Sequence, residues 1–323
     1  MMKKVKISEL DNQAIFDLGI EKESLILFID DIGISKENIS VLNELLRTRE
    51  DFFLNISSEK NESSKNNISG NDLLIALPDI RNLIYHASLK HPLKDISIFS
   101  RLINLRSLHL YGDLPKDMEL KPLDNIENLE SVYIENGLTL KQDVYLSMRS
   151  TIKEIGAGIF RMESFDKNPN LKKIAVLKGV SHEEEIPKKL PELEELYIEK
   201  GKNIRSFNFI SEMKTLKTLE LNDIPTLKEM PDLSNLENLT KVILINLRSL
   251  ENMDSVLNHT RIRTLILENI KCFNIDMLSK ETAPRLKYVS VISDDKNWDK
   301  KIKKLLEEKG YKDYNENITK TDK

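Results

Sequence analysis

Leu216-Lys217-Thr218-Leu219-Glu220-Leu221 and, 23 residues further on, Leu239-Thr240-Lys241-Val242-Ile243-Leu244 share one spacing of aliphatic residues, L-x-x-L-x-L. The final L-x-L is the alternation of a short strand, whose successive side chains point to opposite faces; Leu219 and Leu221 therefore turn one way and Glu220 the other. Six residues cannot fold alone, so the phrase matters because it recurs. Leu105-x-x-Leu108-x-Leu110, Leu129-x-x-Val132-x-Ile134 and Leu193-x-x-Leu196-x-Ile198 repeat it, and weaker copies fill the gaps. Taking the first residue of each final pair gives Leu25, Phe52, Leu83, Leu108, Val132, Ile155, Ile174, Leu196, Leu219, Val242, Leu265 and Val289. Successive copies are 19 to 31 residues apart, within or close to the period of one supersecondary unit per repeat. Chance produces one such phrase easily, but not a near-constant period over the whole chain.

A unit of this size buries its aliphatic residues only against its neighbours, so the pattern predicts stacked strands forming a parallel sheet, with the remaining residues of each repeat returning outside it. From Leu25 to Val291 the chain resembles the leucine-rich repeat superfamily, closer to irregular bacterial intracellular or plant-receptor-like repeats than to the very regular type. The resemblance implies an α/β leucine-rich repeat solenoid: a curved parallel sheet on the concave side, short helices and extended returns on the convex side, and a non-enzymatic role in protein–protein interaction. The family's usual asparagine, three residues after the second leucine, is absent; Asp113, Gly179, Gly201, Ile224, Leu247 and Ile270 stand there. A turn closed by apolar packing or glycine is expected instead. The divisions are an N-terminal cap over 1–24, about twelve repeats over 25–294, and a C-terminal capping helix and tail over 295–323.

Ser35-Lys36-Glu37-Asn38 ahead of Ile39, Leu42, Leu45 and Leu46 predicts a capped amphipathic helix, Gln142 to Met148 a second, and Asn297 to Lys309, with Gly310 as its stop, a third. Ile224 to Pro231 and Leu247 to Met253 read as extended returns, because proline opposes a helix in the first of them. Ser57 to Asn71, polar and of low complexity, reads as a mobile loop, and residues beyond Tyr314 as frayed.

The 323 residues carry 49 basic and 53 acidic side chains, a net charge of -4, which supplies no clustered positive charge for nucleic acid or an anionic membrane. No apolar run approaches the roughly 20 residues of a membrane span. The basic start Met1-Met2-Lys3-Lys4 lacks an apolar leader core after it. Cys272 is alone, so no disulfide framework exists within the chain, and the thiol reads as an ordinary buried one. A cytoplasmic, bacterial location is expected. No phosphate loop, paired-histidine zinc motif or nucleophile elbow occurs, so no cofactor, metal or catalytic residue is assigned. His182-Glu183-Glu184-Glu185 reads as a solvated acidic turn.

Between and just after the paired leucines, side chains face away from the core on the inner curve. One row runs through Ile26, Phe53, Ile84, His109, Tyr133, Gly156, Ala175, Tyr197, Glu220, Ile243, Ile266 and Ser290; the next includes His86, Tyr111, Glu135, Glu199, Ile245 and Glu268. His86, His109, Tyr111 and Tyr133, with Glu135 beside them, form the strongest contact cluster, since aromatic rings bring large area at small entropic cost. Tyr197 joins the contact face, Glu199, Glu220 and Glu268 continue it as an acidic stretch suited to a basic protein surface, and Ile243, Ile245 and Ile266 form an apolar patch. Reading His86, His109 and Glu135 as metal ligands or an acid–base set fits poorly, because an open sheet excludes little water. The expected function is a scaffold holding a partner protein, in one concrete version a bacterial immunity or toxin-neutralising protein; the alternative is a secreted or injected effector that recognises a host protein.

Overall fold

The computed structural model describes residues 2–60 and 66–314, in two compact units, Met1–Gly156 and Ala157–Lys323. In the first, the order is β1 (Lys3–Lys6), α1 (Asn12–Asp17), β2 (Leu25–Phe28), β3 (Ile34–Ser35), α2 (Ile39–Thr48), β4 (Phe53–Ser57), β5 (Asn67–Ile68), α3 (Asp72–Ala76), β6 (Asn82–Ala87), β7 (Ser107–Gly112), β8 (Ser131–Ile134) and α4 (Leu140–Met148). Strands β1, β2, β4, β6, β7 and β8 pair in parallel in that order. Leu27, Leu54, Leu83, Leu108 and Val132 stack through the core, each essentially without solvent exposure. At about 25 cal/mol per Å2 of apolar surface removed from water, a fully buried leucine contributes roughly 2 kcal/mol, which no repeat obtains without a neighbour.

Strands β2 and β4 correct the predicted register. Leu54, not Phe52, pairs with Leu83, and Leu27, not Leu25, is in line with them through Leu54. The slip is two residues, and because side chains alternate with period two it leaves every inward residue inward. Only the outward neighbours change, so that Asn55 rather than Phe53 sits next to Ile84.

Segment 1–24 supplies β1 and α1. Arg49, after α2, holds that segment in place: its guanidinium donates to the carbonyls of Gly19, Glu21 and Glu23, pairs with Asp51 at 3.0 Å and lies 4.1 Å from the Phe52 ring centroid. Helix α4 begins with a capping box in which Thr139 and Gln142 satisfy each other's backbone amides. The loop predicted over Ser57 to Asn71 is only partly a loop. Asn67–Ile68 pairs antiparallel with β3, and the buried Ser58 donates to the His91 carbonyl and accepts from the Ser88 amide. The rest of that expectation, residues 61–65, lies outside the described residues, as does the predicted fraying over 315–323.

Strand β9 (Glu154–Arg161) begins in the first unit and ends in the second, which continues with β10 (Lys173–Ser181), α5 (Ile186–Lys189), β11 (Glu195–Glu199), β12 (Thr218–Asn222), β13 (Lys241–Ile245), α6 (Asp254–Leu257), β14 (Thr264–Glu268), β15 (Tyr288–Ile292) and α7 (Lys296–Glu308). From β10 to β15 the register is the predicted one: Ile174, Leu196, Leu219, Val242, Leu265 and Val289 align, and all are buried. After each of β11 to β14 the chain turns through a left-handed residue, Lys200, Asp223, Asn246 and Asn269 in turn, with φ between 51° and 64°. Asparagine and aspartate tolerate that conformation better than most side-chain-bearing residues. The amides of these four residues donate to the carbonyls of Asn222, Ile245, Glu268 and Ile292 on the next strand. Ile224 and Leu247 follow, fully buried, as the predicted apolar closure requires. The asparagines sought three residues after the second leucine thus stand two after it, and Asn269 donates to the Asn246 side chain at 2.9 Å.

The two extended returns bridge each other at Glu229 and Asn252. Beyond α7, Lys312 exchanges backbone hydrogen bonds with β15, accepting from Val289 and donating to Lys287, so that this sheet edge does not end unpaired. The same segment overturns one expectation: Ser290 faces away from the core yet is buried, because its hydroxyl donates to Asp313 and accepts from the Tyr314 amide. Two others also change. Glu183 is not solvated but buried, accepting from the Arg205 and Ser206 amides at 2.7 and 2.9 Å, and Cys272 is half-exposed. Among the described residues no helix is long and apolar enough to cross a membrane.

His259 is buried between returns of this unit. Its Nε2 lies 3.0 Å from the Leu233 carbonyl and its Nδ1 accepts from the Arg261 amide, so the neutral ring donates through Nε2, and burial holds its pKa below the ordinary 6.5. The unfolded imidazole therefore takes up a proton that the folded one resists. Stability from this group is fully present above about pH 6.5 and declines as pH falls below it. Urea unfolding at pH 7.5 and pH 5 is expected to show that loss, and His259→Gln a shallower one; parallel pH profiles would remove the assignment.

Candidate functional site

Strand register brings the predicted residues of the first unit together. Ile84, His109 and Tyr133 align across β6, β7 and β8, and Ser57, His86 and Tyr111 across β4, β6 and β7. The rings stack across strands: His86 on Tyr111 at 5.1 Å and 20°, His109 on Tyr133 at 5.2 Å and 28°, with Tyr111 and Tyr133 5.4 Å apart. These separations are close to the strand spacing, so the rings stand upright on the sheet with their faces against one another. Ring edges, imidazole nitrogens and hydroxyls are what they offer to solvent. Phe53, displaced by the register slip, still reaches His109, 5.8 Å away.

Glu135 sits at the end of this ladder, its carboxylate accepting from the Gly112 amide at 3.0 Å. Gly112 has φ +85°, and a Cβ there would overlap the Ala87 carbonyl, so glycine is required where the strand ends beside Glu135. The His86 pKa lies below 6.5 because neighbouring groups desolvate the ring; Glu135 pulls it up and Lys4 pushes it down. The Tyr111 phenol is raised by burial and by Glu135, against a hydrogen bond with Tyr133. At the other flank, Gly156 is buried under Tyr133, whose ring occupies the space a Cβ would take.

In the second unit Tyr197, Glu220, Ile243, Ile266 and Ser290 form one row and Glu199, Asn222, Ile245, Glu268 and Ile292 the next. Tyr197, Glu199, Glu220, Ile243, Ile245, Ile266 and Glu268 are all half-buried on this face. The expected acidic stretch is a mixed surface instead. Glu199 accepts from the Tyr197 hydroxyl at 3.0 Å and pairs with Lys200 at 2.9 Å, and Glu195 pairs with Lys173 at 3.4 Å. Burial and the neighbouring acids push the Tyr197 phenol up to about 12.

A third outward row, one residue ahead of the leucines, was missed by considering only residues between and after them: Thr218, Lys241, Thr264 and Tyr288. Extending the alternation two positions back from Glu220, Ile243, Ile266 and Ser290 would have found it. Lys241 reaches the Tyr314 hydroxyl at 3.0 Å and lies 4.7 Å from that ring's centroid, while Tyr314 meets Tyr288 edge-on. Among the described residues no three His, Cys, Asp or Glu side chains are grouped to hold a metal ion.

No family model and no curated protein matches the chain. Among solved structures it is similar to an internalin, inlF, of Listeria monocytogenes (17% identity, TM-score 0.47, covering 84% of this chain and 74% of that one). It is also similar to Toll in a Toll–Spätzle complex of Drosophila (13%, TM-score 0.45, 90% and 42%) and to TLR13 in a complex with ssRNA13 (16%, TM-score 0.35, 90% and 54%). The parallel strands, their period and the inward leucines decide the fold on their own. Each unit is a stack of leucine-rich repeats. In the first, the repeat that carries Gly156 gives Tyr133 its place, and Gly156→Ala is expected to displace that ring at a cost of about 1–3 kcal/mol. Aromatic proton shifts of Tyr133 and His109 would report it, and unchanged shifts would show that the ring does not depend on the glycine.

Proposed function

We propose that the protein is a non-enzymatic scaffold that holds a partner protein against the solvent-facing side of its repeat strands. The observation that supports this best is the upright ladder of His86, Tyr111, His109 and Tyr133. Four aromatic residues on three adjacent strands are fixed by stacking on one another, so ordering them on contact costs little, and their polar edges face outward. Half-buried Ile243, Ile245 and Ile266 add apolar area of the kind that interfaces cover. A single cysteine, Cys272, fits work in a reducing compartment, and neutralisation of a toxin in the cytoplasm of a bacterial producer is the concrete form we favour over recognition of a host protein by an exported effector.

The test is site-specific photo-crosslinking in producing cells, with a benzophenone amino acid at Tyr111, at Ile243 or, as a control, at the exposed Glu237. A single protein adduct from the first two positions and none from the third is expected, in the cytosolic fraction. Absence of adducts from both face positions, or equal yield from Glu237, would remove the scaffold reading; adducts only outside the producer would favour the effector.

A further inference from the structure

In the second unit, Glu220 occupies the middle of the exposed face, with Tyr197 on one neighbouring strand and Ile243 on the other. Its carboxyl is half-buried and, among the described residues, no hydrogen bond or ion pair reaches it. The two lysines whose charge it feels are engaged elsewhere, Lys173 by Glu195 at 3.4 Å and Lys241 by the Tyr314 hydroxyl at 3.0 Å. Burial raises the Glu220 pKa and those lysines lower it only in part. A partly desolvated carboxylate without a hydrogen-bond donor is the arrangement that a cation from outside improves most, since an incoming ammonium or guanidinium meets a group already stripped of much of its water.

The surface beside it fixes what the rest of that cation's chain must be. Ile243 stands one strand from Glu220 and Ile266 two strands, about 5 and 10 Å away at ordinary strand spacing. Same-face residues of an extended segment lie about 7 Å apart, so a residue two positions from the cation falls over the junction of the two isoleucines. We infer that this face docks an extended basic-apolar segment of a partner protein, a lysine or arginine on Glu220 and a branched aliphatic residue two positions away on Ile243 and Ile266. The inference rests on the scaffold reading and specifies its chemistry.

The probes are three end-capped, fluorescent peptides identical except at their centre, Lys-Thr-Ile, Glu-Thr-Ile and Lys-Thr-Asp, titrated into the full chain at low salt. Lys-Thr-Ile is expected to bind at least about tenfold more tightly than the other two, the factor a charge-assisted hydrogen bond supplies. Glu220→Gln, an isosteric change on the solvent side, is expected to bring Lys-Thr-Ile and Glu-Thr-Ile together, and Ile243→Ser to bring Lys-Thr-Ile and Lys-Thr-Asp together. Equal binding of all three, insensitivity to Glu220→Gln, or preferred binding of an RNA oligonucleotide would overturn the inference. So would a dimer in sedimentation that Ile243→Ser dissolves, since a second copy would then cover the patch. If no peptide binds while the crosslinks at Tyr111 and Ile243 persist, the docking chemistry falls and the scaffold stands; if the crosslinks also vanish, both fall.

Discussion

Everything in this molecule follows from a two-residue alternation that no single repeat can exploit alone. Leu219 and Leu221 are buried only because Leu196 and Ile198 lie on one side of them and Val242 and Leu244 on the other. That dependence forces parallel neighbours, and parallel neighbours force equivalent residues into rows. A row is therefore not a local property of any segment. His86, Tyr111 and Tyr133 are separated by 25 and 22 residues of sequence yet stand within ring contact of one another.

The alternation also limits what errors of reading can do. Shifting β2 and β4 by two residues replaced Phe53 with Asn55 beside Ile84 but moved nothing from core to solvent. The fold was legible for this reason: periodic leucines report a face, and faces survive even-numbered slips. The second unit, where the period holds at 22 to 24 residues from Ile174 onward, was read in register throughout. The first unit, where helix α2 and the pairing of β3 with β5 stretch the intervals, was not.

What the sequence hid depends on contacts with no period. The burial of Ser290 under Asp313 and Tyr314 joins residues more than twenty apart across the end of the sheet, and Glu183 is buried because the Arg205 and Ser206 amides converge on it. Three outward glutamates read as an acidic stretch until Lys200 is found on Glu199. The left-handed turns were half visible: Asp223, Asn246 and Asn269 recur at one position, but the position after them holds only aliphatics, Ile224 and Leu247 buried and Ile270 half-buried. A conformational requirement marks the residue that satisfies it, not the place where a family pattern is expected.

The binding face exists only if the alternate side chains of β12 and β13 face water. With Cys272 replaced by serine, single cysteines placed along 219–222 and 242–245 can be labelled with a maleimide under native conditions. Fast labelling at 220, 222, 243 and 245, and protection until unfolding at 219, 221, 242 and 244, is the predicted pattern. Protection at 220 and 243 with fast labelling at 219 and 242 would put the proposed binding face inside the protein and contradict the account.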